Sequence, residues 1–315
     1  MTSEAALLFN SGYAANLGVL SSLPQANDVV LYDELIHNSC HEGLRLSRAY
    51  ASKRTHAFRH NDLTHLEHML QQFQSVGESS GCVFVVVESV YSMDGDVAPL
   101  AAMTALCERY GAYVIVDEAH GVGVYGPQGS GVVRELGLDT VSAQRVMCCR
   151  VYTFGKAMGC HGAVVCGSRH LIEFLVNYAR SFIYTTAFPF EQLVTVQCAH
   201  ELCAEADDKR VEVLRLVQYF KARVTSSADI PADALLQSDS PIQGVVFKGN
   251  HAVLEAARQM LALGIRVIPI RSPTVPKDAE RFRIIIHAHN TEAEIDQLVA
   301  ALEGMFSQRL ATSRL

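Results

Sequence analysis

Ala112-Tyr113-Val114-Ile115-Val116-Asp117-Glu118-Ala119-His120-Gly121 is the stretch on which the fold turns. A short, mostly β-branched apolar run reads as a strand buried on both faces of a parallel sheet. The run stops at ionisable residues, and open α/β sheets collect their ligands at the carboxyl ends of their strands. A second apolar run, Val146 to Thr153, delivers Phe154-Gly155-Lys156-Ala157-Met158-Gly159 to what should be the same edge. A lysine among glycines and small apolar residues is expected to be poorly solvated, which lowers its pKa and makes its amine nucleophilic. Asp117, His120 and Lys156 are therefore expected to bring an acid, an imidazole and an amine to one cleft.

Val116-Asp117-Glu118-Ala119-His120 also has the look of the Mg²⁺-binding box of a helicase. That reading requires an earlier G-x-x-x-x-G-K-[ST] loop to cradle phosphates; the chain has none, and its Gly155-Lys156 comes after the box and is followed by Ala157. The net charge of −7 also argues against a nucleic-acid partner. With 315 residues, 49% hydrophobic and 19% charged, the chain can bury one large domain and a smaller one, as a globular enzyme does. Its nine cysteines are scattered without a C-x-x-C pair, which points to reduced thiols in a cytoplasmic protein rather than to disulfides or zinc. No apolar run is long enough to span a membrane, and no signal-like segment opens the sequence.

Ahead of the central stretch, Ala5 to Phe9 is expected to be a buried strand, followed by an apolar helix reaching about Leu23. Ser11 is a natural N-cap and Gly12 admits a close backbone approach, so the Gly12 and Tyr13 amides are candidates to hold a phosphate at a helix N-terminus. A strand over 28–32 leads to His37, read as a flat surface for stacking on a ring. His41, four residues on, is read as structural, because no third metal ligand accompanies the pair. Strands over 55–58 and 83–87 and helices over 63–73 and 100–110 complete an alternation that predicts an α/β fold, a mostly parallel sheet with helices on both faces.

Beyond Lys156, a strand over 162–166 and a helix over 171–179 precede Phe182 to Pro189, a segment rich in hydroxyls that suits an anion. One long helix from about Glu191 to Val224 is expected to lead into a small α+β domain. Its strands are read over 242–247, 265–270 and 282–287, and its helices over 253–263 and 292–306. The domains so read are 1–205, which binds the cofactor, and 206–315.

Four motifs together, Ser11-Gly12-Tyr13-Ala14-Ala15-Asn16, Tyr91-Ser92-Met93-Asp94-Gly95-Asp96, Val116-Asp117-Glu118-Ala119-His120-Gly121 and Thr153-Phe154-Gly155-Lys156-Ala157, resemble the α-oxoamine synthases, in order and over nearly the whole chain. The resemblance implies the pyridoxal-phosphate-dependent transferase fold of aspartate aminotransferase type I. It also implies an acyltransferase that condenses an amino acid with an acyl-CoA and releases CO₂. Phe58-Arg59-His60-Asn61-Asp62, Ser240-Pro241-Ile242-Gln243 and Arg271-Ser272-Pro273-Thr274-Val275-Pro276 are similar to the biotin-pathway branch, which joins L-alanine to a pimeloyl thioester. Sister branches use glycine or serine, and the His-Asn-Asp element occurs there too.

Residue roles follow from the same resemblance. Lys156 is implied to hold pyridoxal 5'-phosphate as a Schiff base and then to remove the amino acid's Cα proton. Asp117 is implied to keep the pyridine nitrogen protonated, His120 to hydrogen-bond the phenolic oxygen, and His37 to stack on the ring. Gly12, Tyr13 and Thr153 are implied to bind the phosphate and Ser92 to face the ring. Thr185 or Thr186 is implied to reach the phosphate of a partner subunit in a homodimer whose active sites lie near the interface. Arg283 resembles the clamp on the amino-acid carboxylate, and Thr274 the substrate-contacting residue of the small domain. Family members carry several dozen residues ahead of the strand that begins here near Glu4, including contacts for the acyl-CoA. The expectation for the sequence as given is therefore a cofactor-binding chain that condenses poorly, or a cofactor-binding remnant without synthase activity.

Overall fold

The computed structural model describes residues 3–74, 81–140 and 143–312. Its contacts divide the chain into two units, one of residues 1–91 and 98–207, the other of residues 92–97 and 208–315.

The first unit runs β1 (Ala5–Phe9), α1 (Gly12–Ser22), β2 (Val29–Asp33), α2 (Asn38–Arg45), α3 (Arg48–Ala51), β3 (Thr55–Phe58), α4 (Leu63–Gln74), β4 (Val83–Glu88), α5 (Leu100–Arg109), β5 (Tyr113–Asp117), α6 (Val132–Glu135), β6 (Met147–Thr153), β7 (Ala163–Gly167), α7 (Arg169–Tyr178), α8 (Arg180–Ile183) and α9 (Phe190–Ala204). Its seven strands lie in the order β1-β7-β6-β5-β4-β2-β3. The pairings from β6 through β3 are parallel, whereas β7 runs antiparallel to both β6 and β1.

Successive side chains of a strand point to opposite faces, and here both faces are apolar. Val85, Val87, Val114 and Val116 pack against Leu66 and Leu70 of α4 and Met103 of α5. Their alternates Phe84, Val86 and Ile115 pack on the other face against Val19 and Leu20 of α1 and Leu175 of α7. The sheet is thus covered on both sides, as the alternation of elements predicts. Within this sheet, two strands differ from the sequence reading. β1 is an edge strand, so its outward side chains stay partly open and Leu8 is exposed. β5 starts at Tyr113, which is also exposed.

The second unit holds α10 (Asp207–Ser226), β8 (Ile242–Val246), α11 (Asn250–Ala262), β9 (Ile268–Ile270), β10 (Arg281–Ile285) and α12 (Glu292–Thr312). Its three-stranded antiparallel sheet has the order β8-β10-β9. The alternation Arg281-Phe282-Arg283-Ile284 on β10 sends Phe282 and Ile284 into a core with Phe220 of α10, Met260 of α11 and Leu302 of α12. The long helix expected over 191–224 is two helices, interrupted at Glu205–Ala206. Three acids, Glu205, Asp207 and Asp208, gather at the break; anions favour a helix start over a helix interior or end, so a new helix begins there. All nine cysteines are free thiols, with Cys82 and Cys198 exposed. Among the described residues no helix is long and apolar enough to cross a membrane.

Candidate active site

The carboxyl edge of the first sheet is built around Asp117, the last residue of β5 and a buried one. Its Oδ1 accepts the Ala119 amide at 2.8 Å, and its Oδ2 accepts Asn16 Nδ2 at 2.7 Å. Asn16 lies one turn into α1 and also donates to Ser39 Oγ at 2.9 Å. Ser39 Oγ in turn sits 2.7 Å from Nδ1 of His37, the residue that caps α2. A continuous hydrogen-bonded chain therefore runs His37–Ser39–Asn16–Asp117 across three elements. Burial holds the His37 imidazole below its usual pKa, with Asp117 pulling the other way and the Lys156 charge adding to the depression. At neutral pH His37 is consequently an uncharged ring. His41, inside α2, packs edge-on against Tyr32 at 5.5 Å, a packing role as expected.

Lys156 sits in the turn after β6 and is exposed, which corrects the expectation that its neighbours would desolvate it. Gly155, Ala157 and Gly159 are too small to cover a long side chain. Its charge is nonetheless felt at His37 and at Glu88, which places it in the same electrostatic neighbourhood as Asp117. His120, half-buried, follows Asp117 in the turn closed by the Gly121 and Val122 amides on Glu118 O.

At the start of α1, Ser11 caps the helix by accepting the Ala14 amide at 3.1 Å, leaving the Gly12 and Tyr13 amides as its first-turn donors. Thr153, the last residue of β6, lies against them: a Cβ on Gly12 would fall 2.4 Å from Thr153 Cγ2. Thr153 Oγ1 is buried and has no hydrogen-bond partner among the described residues. Thr185 and Thr186, both exposed, stand beside Asn10 of their own chain, whose Nδ2 donates to Thr185 Oγ1 at 3.1 Å and Thr186 O at 2.7 Å.

Two buried acids support this edge, and sequence reasoning assigned neither. Glu88 ends β4, and its carboxyl is pushed well above the usual range by burial and by the Asp117 charge. Glu118 is fully buried and accepts Ser89 Oγ at 2.6 Å, Val133 N at 2.7 Å and Val132 N at 3.1 Å, tying the turn after β5 to the start of α6. Asn16 and Ser39 were missed as well. A wholly polar amide inside the apolar helix at Ala14–Leu20 was the available signal, because buried polar groups demand partners.

In the second unit, Arg283 lies on β10 and its Nε donates to Ser92 O at 2.6 Å; the contacts of Ser92 place it in this unit. Burial lowers the pKa of the Arg283 guanidinium. Arg281, two residues before it, is buried and paired with Asp94. Thr274 is exposed in the loop after β9.

The first-unit edge can anchor a cation or a ring nitrogen on Asp117, an anion at the Gly12 amides, and a carbonyl on Lys156. Comparison with known proteins gives this arrangement a context. Residues 1–302 match the family of class I and II aminotransferases. An 8-amino-7-oxononanoate synthase from Emericella nidulans is 41% identical over 94% of this chain and 72% of its own length. A high-resolution structure of serine palmitoyltransferase with PLP as an internal aldimine superposes with a TM-score of 0.86 at 28% identity, over 96% of this chain and 72% of that one. The 8-amino-7-oxononanoate synthase of Francisella tularensis superposes with a TM-score of 0.79 at 27% identity, over 99% of this chain and 84% of that one.

Proposed function

This chain belongs to the family of class I and II aminotransferases, and we propose that within it the chain acts as a pyridoxal-phosphate-dependent 8-amino-7-oxononanoate synthase, joining L-alanine to a pimeloyl thioester with loss of CO₂. The observation that carries the reading is the buried Asp117 carboxylate, fixed by Asn16 and the Ala119 amide on the strand beside the one that delivers Lys156.

The residues present fit the cofactor. A buried Thr153 Oγ1 with no partner among the described residues, beside a glycine that leaves no room for Cβ, suits a phosphate, and the Gly12 and Tyr13 amides stand at the helix N-terminus that favours one. When bound, pyridoxal phosphate supplies an aldehyde for attachment to amines and a ring that draws electrons from the substrate's Cα. Asp117 is the anion that holds a proton on the ring nitrogen. His37, neutral through burial, offers an uncharged face for stacking, and His120 a hydrogen bond to the phenolic oxygen. Lys156 Nζ would hold the cofactor through its aldehyde and would serve as the base for the amino acid's Cα proton. Exposure suits that role, since the amine must accept and release protons. Arg283 takes the amino-acid carboxylate and Thr274 contacts substrate, while Ser92 faces the ring. The protein works as a homodimer, with Thr185 or Thr186 reaching the phosphate of the partner.

Reduction with borohydride after incubation with pyridoxal phosphate should leave the pyridoxyl mass on the peptide containing Lys156, and Lys156→Ala should lose both the label and about 10²–10⁴-fold of turnover. A label on any other lysine would refute the assignment. Choice of amino acid is read by the same protein's turnover of alanine, glycine and serine with pimeloyl-CoA. Sequence identity favours alanine; the TM-score of 0.86 to a serine palmitoyltransferase is what favours a serine-using alternative, and faster turnover of serine with palmitoyl-CoA would select it.

A further inference from the structure

Residues 92–97 leave the chain between β4 and α5, yet their contacts are those of the second unit. Several interactions fasten this strap. Asp94 is ion-paired with Arg281, whose guanidinium is buried and also donates from Nε to Ala279 O at 2.9 Å. Ser238 Oγ shares its proton between the carbonyls of Gly95, at 2.9 Å, and Ile242, at 2.7 Å. Gly95 has φ +81°, and a Cβ there would lie 2.1 Å from Ile242 O, so the strap backbone is pressed directly onto the start of β8. Three residues before Gly95, Ser92 O accepts the Arg283 Nε bond at 2.6 Å.

That last bond limits what Arg283 can do. A guanidinium meets a carboxylate either side-on, through Nε and one Nη, or end-on, through both Nη atoms. With Nε committed to Ser92 O, and no other Arg283 hydrogen bond among the described residues, the end-on edge is the one that remains. Arg281 and Arg283 stand two apart on β10 and so share one face of the strand. The ion pair that anchors the strap and the arginine that the strap orients are therefore side by side.

We infer that the Ser92–Val97 strap is the positioning element of a carboxylate-binding arginine: Asp94, Arg281 and Ser238 hold the strap so that Ser92 O turns the Arg283 guanidinium end-on to a substrate carboxylate. Asp94 and Ser238 are positioning residues and touch no substrate. The inference rests on the proposed role of Arg283 and adds the device that orients it. Removing the Asp94 charge leaves Arg281 buried against a weaker acceptor, which loosens the strap rather than deleting it.

The test compares L-alanine with L-alaninamide, which lacks the carboxylate, titrated into the protein loaded with pyridoxal phosphate and followed by cofactor absorbance. Arg283→Met should abolish the preference for alanine. Asp94→Asn should weaken alanine about tenfold and Ser238→Ala about threefold, with alaninamide changed by less than about twofold in both. In turnover the loss should fall on KM for alanine with kcat retained, as expected for binding energy shared by ground and transition states. Equal losses for the two ligands would mean a general structural role and would overturn the inference. Unchanged alanine affinity in both strap variants, while Arg283→Met loses its preference, would overturn it and leave the Arg283 assignment standing. A preference that survives in Arg283→Met would overturn that assignment itself. If Asp94→Asn does not fold, Ser238→Ala, which keeps the ion pair, decides.

Discussion

The two units hold their polar residues by opposite means. In the first, Asp117, Thr153 and Glu88 stand at the ends of strands, and a chain of short side-chain bonds through Asn16 and Ser39 reaches His37. In the second, Arg281 and Arg283 project from a strand, and their partners Asp94 and Ser92 lie 187 and 191 positions away in sequence. The first arrangement concentrates charge where little water screens it, so each group strongly alters its neighbours, as the raised Glu88 shows. The second depends on a strap staying in place, and its failures should be failures of orientation.

The largest effect should come from breaking the electrostatic centre of the first unit. Asp117→Asn keeps the shape and removes the anion, and kcat should fall about 10²–10³-fold. A loss below about tenfold would show that the buried carboxylate is not what drives the chemistry. The contrast with the strap variants is sharp, because those should act on KM.

Asn16→Ala tests whether the network is held by mutual satisfaction. It strips a donor from Asp117 Oδ2 and from Ser39 Oγ inside the protein, and denaturant unfolding should show a loss of about 1–3 kcal/mol. The Arg215–Glu212 pair on α10, half-exposed on both sides, gives the comparison: Glu212→Gln should leave the unfolding midpoint unchanged within error. Similar losses at the two sites would erase the distinction between the units.

The smallest effect is a pH dependence. Glu88 in the folded protein keeps its proton at pH values where the unfolded chain, with an ordinary pKa near 4.5, has released it. Its contribution to stability therefore declines as pH rises from that ordinary value toward the raised folded one. Between pH about 5 and about 6 the wild type should lose at most about 1.4 kcal/mol relative to Glu88→Gln, which does not titrate. Parallel stability curves for the two proteins over that interval would show that Glu88 is ionised when folded.

Much of this was legible beforehand, for identifiable reasons. The β-branched run ending at Asp117 and the run ending at Thr153 each fell where a strand stops, so the edge that carries Asp117, His120 and Lys156 could be read from the chain alone. Ser11 was recognisable as a cap because its chemistry is local. For Lys156 the sequence shows the turn but not the environment, since solvation depends on what packs over a residue and not on its sequence neighbours. The helix expected to run through 205–206 was over-extended because apolar periodicity on both sides hid the acidic break.

By itself the sequence determined the α/β class, the alternation of the main strands and helices, and where β5 and β6 end. These rest on periods of two and 3.6 residues and on caps and turns, interactions that span only a few positions. Tertiary structure alone decided that Asn16 and Ser39 link Asp117 to His37, that Thr153 Oγ1 has no partner among the described residues, and that residues 92–97 join the second unit and fasten Arg283. A hydrogen-bond partner is chosen by what desolvation brings within about 3 Å, and across more than a hundred residues of chain no local pattern records that choice.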